Sequence, residues 1–212
     1  MPRPVPTPVL HFTHVAHLRA VAEHGLVADA VAQSRGLLTN EVGNRGIKER
    51  RRTRVVPVPP GGVVADYVPF YFAPRSPMMY SIYRGNVPEY VDGISPLVYL
   101  VTTVERLLEL GCTVVTTDRN AVLGYADFHR SLDALDVSID WPLMVATMWN
   151  DTIDEPDRME RRMAECLVHE VVPWEAFTEV HVRTAERKSE VKELLGPGVT
   201  ANQVRVTPDW YF

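Results

Sequence analysis

Short β-branched apolar runs alternate with short helical patterns along this chain, and no segment repeats. Residues 9–13 read as a strand, because Val, Leu, Phe and Thr suit a pleated, half-buried surface. Residues 15–24 read as a helix, with Leu18, Val21 and Ala22 on one face and Gly25 as the stop. Residues 34–62 mix charges with prolines and glycines and lack periodicity, which predicts a long functional loop. The aromatics Tyr67, Phe70, Tyr71 and Phe72 then run into Pro74-Arg75-Ser76-Pro77. Proline cannot donate to a sheet ladder, so the chain is expected to leave regular structure there. The plainer alternative is a core strand followed by a proline-rich turn.

Further on, residues 97–101 predict a buried strand and Thr102-x-x-Glu105 a capping box, opening a helix that ends at Gly111. Residues 112–116 read as a strand and 126–135 as a helix, before an acidic turn through Asp151, Asp154, Glu155 and Asp157. The stretch 158–172 starts like a helix, whereas Cys166-Leu167-Val168 also fits a buried strand. Residues 179–183 and 203–207 alternate as half-exposed strands around a charged helix at 184–195. Strands and helices without a regular βαβ rhythm predict an α+β fold.

Composition narrows the class. A chain of 212 residues and 23.9 kDa fits one domain with a sizeable core. A net charge of −5 provides no global basic field for nucleic acid or membrane. Cys112 and Cys166 each lie in an apolar run, offering neither metal spacing nor a disulfide framework, so a reducing cytoplasm is expected and no metal. The proline-rich start does not resemble a signal peptide, and no apolar stretch approaches a membrane span.

Four places hold candidate chemistry. Residues 45–54 carry six basic side chains in an otherwise acidic protein, either a solvated face or a site where an anion bridges like charges. His11-Phe12-Thr13-His14 closes the first strand, where histidines either bond a ligand or cap a turn. Glu165 sits between Ala164 and Cys166-Leu167-Val168. It is either a buried acid that must be paired or used, or the polar face of a helix beside Arg161 and Arg162. Thr116-Thr117-Asp118-Arg119-Asn120-Ala121 leaves a buried strand as a polar turn, which turn chemistry alone explains.

Taken together, HFTH, the run from Ile47-Lys48 into the arginines, DYVPFYFAPRSPMMY, TDRNA, AECLVHE-VVPW and the last WYF resemble the DarT family. The resemblance spans residues 9–212, and the PFYF-x-PRSPM block is its most specific part. It implies an ADP-ribosyltransferase fold similar to the poly-ADP-ribose polymerases, a split mixed sheet around an NAD cleft. It also implies a toxin that transfers ADP-ribose from NAD to thymidine in single-stranded DNA, opposed by a macrodomain antitoxin. Carried onto this chain, His11, Phe12, Thr13, Gly25, Leu26 and Asn44 would hold NAD, and the loop 34–53 would close over it. Arg51, the second arginine after Ile47-Lys48-Glu49, aligns best with the catalytic arginine and would also hold NAD, with Arg50 and Arg52 as alternatives in the same degenerate run. Glu165 would be the catalytic acid. Tyr71, Arg75, Met78 and Asn120 would face the DNA, and the loop at about 117–165 would select the base. Many relatives place a histidine at the position of Asn120, which can hydrogen-bond but cannot carry a proton. Two other classes share parts of the pattern. One is an NAD hydrolase or a transferase acting on RNA or protein; the other is a silent nucleic-acid-binding module.

Overall fold

The computed structural model describes residues 1–196 and 203–212. The elements run β1 (Pro8–His14), α1 (Leu18–His24), β2 (Leu26–Val27), α2 (Asp29–Ser34), α3 (Arg45–Thr53), β3 (Tyr67–Tyr71), α4 (Pro77–Tyr83), β4 (Leu97–Thr103) and α5 (Val104–Glu109). They continue with β5 (Val114–Thr117), β6 (Phe128–His129), α6 (Ala134–Ser138), α7 (Trp141–Val145), α8 (Arg158–Arg162), β7 (Glu165–His169), β8 (Val171–Val172), β9 (Glu179–Val182), α9 (Ala185–Leu195) and β10 (Gln203–Val206). Eight strands form one mixed sheet in the order β10-β9-β4-β1-β3-β7-β5-β6, antiparallel except for β9 against β10; β2 and β8 pair separately. This is the expected α+β architecture.

The sheet is split in its middle. β1 pairs with β4 along its whole length, and β3 pairs with β7 along its own. Between β1 and β3 the register holds only Leu10 opposite Tyr71. Pro69 sits at the centre of β3 and has no N–H to give. Its carbonyl is bonded instead by the His11 ring, Nδ1 at 2.7 Å. In extended backbone the N–H and C=O of one residue point to the same side, so the missing donor faces β1 as well. The ladder therefore stops zipping at this proline, which explains how a proline survives in a central strand.

Alternation along the strands builds a core on each face. Val9, Val98, Leu100, Phe70, Cys166 and Val168 join the larger cluster, with Leu18 of α1. Leu10, Phe12, Leu97 and Tyr99 point the other way, against Met79 and Ile82 of α4. Across the split, Tyr67, Val115, Phe128 and Leu167 form a third cluster on that same opposite face. Each fully buried large apolar side chain, such as Phe70, contributes about 1.5–3 kcal/mol.

Several expectations need correction. The basic run is not loop: Asn44 accepts from the Ile47 N–H at 3.1 Å and starts α3. The helix after β4 is capped by Thr103, not Thr102, and its Glu105 accepts from the Thr7 N–H at 2.7 Å and pairs with Arg3 at 3.0 Å. Residues 126–135 contain β6 and the start of α6 rather than one helix. The region 117–165 is mostly turns and irregular chain, punctuated by the short elements β6, α6, α7 and α8. β9 is buried rather than half-exposed at Val180, His181 and Val182. The chain does leave regular structure after β3, bending through residues 72–76. What the sequence did not announce is that Ser76, accepting from the Met79 N–H at 3.2 Å, then caps a helix with Pro77 in its first turn.

Candidate active site

A cleft of about 440 Å³ opens along the split, with Phe12 on one wall and Tyr67 on another. The floor is set by Glu165, the first residue of β7, opposite Tyr71 on β3 and Thr117 on β5. Glu165 is 1% exposed. One carboxylate oxygen accepts from Arg51 Nη1 at 2.8 Å, the other from the Ala121 N–H at 3.4 Å. Its own N–H reaches Thr117 Oγ1 at 3.3 Å, so the acid is fixed from front and back. Arg51 lies on α3 and its second guanidinium nitrogen is buried without a partner. That orphan donor, in a cleft, points to an anionic ligand.

α3 sends its arginines in different directions. Arg50 reaches the Val122 carbonyl at 3.3 Å, and Arg52 pairs with Glu49 at 2.6 Å. Lys48 is held by Asp29 and Glu41. Of the three neighbouring arginines, Arg51 is the one whose side chain meets the cleft. The helix aims one guanidinium inward and ties its neighbours to acids, for Lys48 and Arg52, or to a backbone carbonyl, for Arg50.

On the β1 side, His11 and Thr13 line the cleft. The His11 ring donates from Nδ1 to the Pro69 carbonyl, so Nε2 is left as an acceptor, and burial pulls its pKa down to about 4. His17, likewise lowered to about 4 by burial, accepts the Asn40 N–H at Nε2, 3.1 Å. Its Nδ1 must then carry the hydrogen and donate to Thr13 Oγ1 at 2.9 Å. The Thr13 hydroxyl proton is thereby left to donate to a ligand. Sequence reading missed His17; its spacing four residues from Thr13 was the available signal.

The remaining candidates divide. Gly25 and Leu26 line the cleft where β2 meets β8. Asn44 lines it too, but its side-chain oxygen is committed to capping α3. Tyr71 stacks on Phe12 with centroids 6.2 Å apart, and burial beside Glu165 pushes its pKa up. Met78 approaches the Tyr71 hydroxyl at 3.8 Å, and Asn120 contacts the sulfur of Met163 at 3.7 Å. Met159 and Met163 add an apolar wall that the sequence reading did not single out. Arg75 does not reach the cleft; its guanidinium lies 4.4 Å over the Phe212 ring. Glu160 also stays outside, accepting from Tyr125 at 2.7 Å. Among the described residues no cluster of His, Cys, Asp and Glu suits a metal, and no helix is long and apolar enough to cross a membrane.

Comparison with known proteins fits this geometry. The family model for DarT, ssDNA thymidine ADP-ribosyltransferase, matches residues 10–212. A DNA ADP-ribosyl transferase of Thermus sp. strain 2.9 is 37% identical over 212 residues, 99% of this chain and 98% of that protein. The structure of Thermus sp. 2.9 DarT in complex with ADP-ribosylated ssDNA superposes with a TM-score of 0.92 at 36% identity, covering 100% of this chain and 99% of that one. The complex of Thermus sp. 2.9 DarT with NAD+ gives 0.85 at 34% identity, covering 99% and 100%. A DNA ADP-ribosyl transferase-DNA ADP-ribosyl glycohydrolase fusion protein of Thermosipho africanus is 22% identical over 94% of this chain and 47% of its own length. The chain belongs to the DarT family of single-stranded-DNA thymidine ADP-ribosyltransferases.

Proposed function

We propose that Glu165 and Arg51 carry the transfer of ADP-ribose from NAD to a thymine in single-stranded DNA. The observation that supports this reading is a salt-bridged carboxylate, 1% exposed, at the floor of a cleft that also holds His11 and Thr13. NAD fits the donors that line the cleft. The unpartnered nitrogen of Arg51 suits a pyrophosphate, and the Thr13 hydroxyl and His11 Nε2 suit a carboxamide or ribose. The co-substrate supplies a ribose carbon bonded to a cationic leaving group, so positive charge gathers on the ribose as that bond breaks.

Glu165 answers that charge. A carboxylate fixed by Arg51 and the Ala121 N–H is oriented before the reaction and needs no rearrangement when charge develops. The thymine ring nitrogen loses its proton to water at the mouth of the cleft, and the resulting anion bonds to the ribose carbon as nicotinamide leaves. An arginine with a pKa above about 12 is a poor base, so Arg51 is assigned to stabilising the resulting anion and holding phosphate. Tyr71 and the methionine wall of Met78, Met159 and Met163 give an unstacked base an apolar seat. In the cell the activity would be that of a toxin, countered by a macrodomain antitoxin that removes the modification. The Thermosipho fusion, which joins a transferase to a glycohydrolase, is consistent with such a pairing. A thymidine-containing oligonucleotide incubated with enzyme and NAD should gain the mass of one ADP-ribose. Absence of that product, or labelling of RNA or protein instead, would overturn the reading.

A further inference from the structure

Helix α4 has three faces. Met78 and Ser81 line the cleft, Met79 and Ile82 are buried in the core, and Tyr80 and Tyr83 are 38% and 50% exposed. Those two tyrosines do not stand alone. The Tyr80 ring lies 5.0 Å from Phe212, 6.0 Å from Trp149 and 6.3 Å from Tyr83. Tyr83 stacks on Phe212 with centroids 5.7 Å apart and planes 25° apart. Arg75 completes the group from above Phe212. Its backbone is left-handed, with φ 52°, and its N–H donates to the Tyr99 hydroxyl at 3.2 Å. Its buried Nε has no hydrogen-bond partner. Arg84 follows, exposed, at the end of α4.

An exposed cluster of rings with guanidinium groups at its edge is an unusual surface for an acidic protein. Protein and membrane interfaces also use such side chains, so the choice of occupant rests on position: the cluster sits on the helix that lines the cleft of a DNA-modifying family. Phenol rings with arginines match alternating bases and phosphates. The cluster shares α4 with the cleft but lies on nearly the opposite side of that helix, where a strand leaving the cleft around the end of α4 would meet it. On the DNA reading above, we propose that Tyr80 and Tyr83 form a stacking platform for nucleotides flanking the modified thymidine, with Arg75 and Arg84 meeting the phosphate between them. Arg75 thus belongs to the DNA side as a flanking contact rather than as part of the cleft.

The test compares one thymidine-containing oligodeoxynucleotide with a version carrying abasic sites on either side of the thymidine. With the parent enzyme, abasic flanks should raise the KM for DNA roughly tenfold, in line with the stacking of one base on an aromatic side chain. A double Tyr80→Leu, Tyr83→Leu variant should show that higher KM with the intact strand and should no longer distinguish the two. Tyr83→Trp should retain the distinction, and the KM for NAD should stay unchanged throughout. An equal abasic penalty in parent and double variant, or none in the parent, overturns the platform while leaving the catalytic reading standing. No transfer to either strand by the parent would sink the DNA reading itself, and the platform with it.

Discussion

Taking a carboxylate out of water leaves it dependent on its neighbours, and Glu165 depends chiefly on Arg51. Glu165→Gln keeps the shape but weakens the field on the ribose, so transfer should fall about 10²–10³-fold with NAD binding retained. Glu160→Gln, altering an acid outside the cleft, should be nearly silent. Equal losses at the two positions would refute the assignment. Arg51→Gln should lose transfer and also stability, by about 3–5 kcal/mol at most, because it strands the buried acid. Adding Glu165→Gln to that variant should recover much of the stability and none of the activity, as read by denaturant midpoint and product yield. The histidines make a separate prediction. His11 and His17 have folded pKa values of about 4, against an ordinary value near 6.5, so the unfolded chain binds protons that the folded chain refuses. Their contribution is complete above pH 6.5 and is lost as pH falls from there towards 4. Urea midpoints should decline across that window, and His17→Gln should flatten the decline; an unchanged slope would remove His17 from the account.

At the scale of elements, backbone conformation decides what a sequence can show. Gly25 ends α1 with φ 77°, and an added Cβ would stand 2.7 Å from the Val172 carbonyl. Gly25→Ala should therefore cost more than the roughly 1 kcal/mol of a left-handed residue alone. Gly36→Ala, at φ 64° with nothing within 4 Å, measures strain without clash. Equal urea midpoints for the two variants would refute the packing argument. Gly25 was readable as a stop; the strand lying against it was not. β1, β4, β5 and α9 were legible because β-branched apolar runs mark the strands and a charged stretch between two strands marks the helix. α3 was not, since nine residues with Ile47 as their one aliphatic member show no apolar stripe, and its charges are held from outside the helix by Asp29, Glu41 and, far along the chain, Glu165. Ser76-Pro77 carried a readable cap, but two prolines after an aromatic strand looked more like a break than a helix start. The capping box slipped by one residue because Arg3 and the Thr7 N–H capture Glu105. In the site, Glu165 and Arg51 were found through motif likeness. Arg75 stands outside the cleft that Met78 lines, because its left-handed backbone turns the side chain towards Phe212, which sequence adjacency does not show.

For the whole molecule, a net charge of −5 with positive charge gathered on α3 and at Arg75 and Arg84 limits how many phosphates can be neutralised at once. The logarithmic salt slope of DNA binding should be about −2 to −4, at roughly −0.7 per phosphate for single strands. Fully duplex DNA should be modified poorly, since a paired thymine must first be extracted; efficient duplex labelling would contradict this. The split of the sheet has a mechanical side too. His11 and Thr13 ride on the half-sheet of β1 and β4, while Tyr71 and Glu165 ride on the half built from β3, β7 and β5. Pro69 leaves the joint between them unstitched, so it is the most compliant line across an otherwise continuous sheet. A dinucleotide gripped from both banks becomes a tie-rod across that joint, supplying the stiffness that the backbone ladder withholds. Amide exchange at residues 10–13 and 70–71 should slow when NAD is added, more than in the outer strands β9 and β6, and uniform slowing would argue that the halves already move as one.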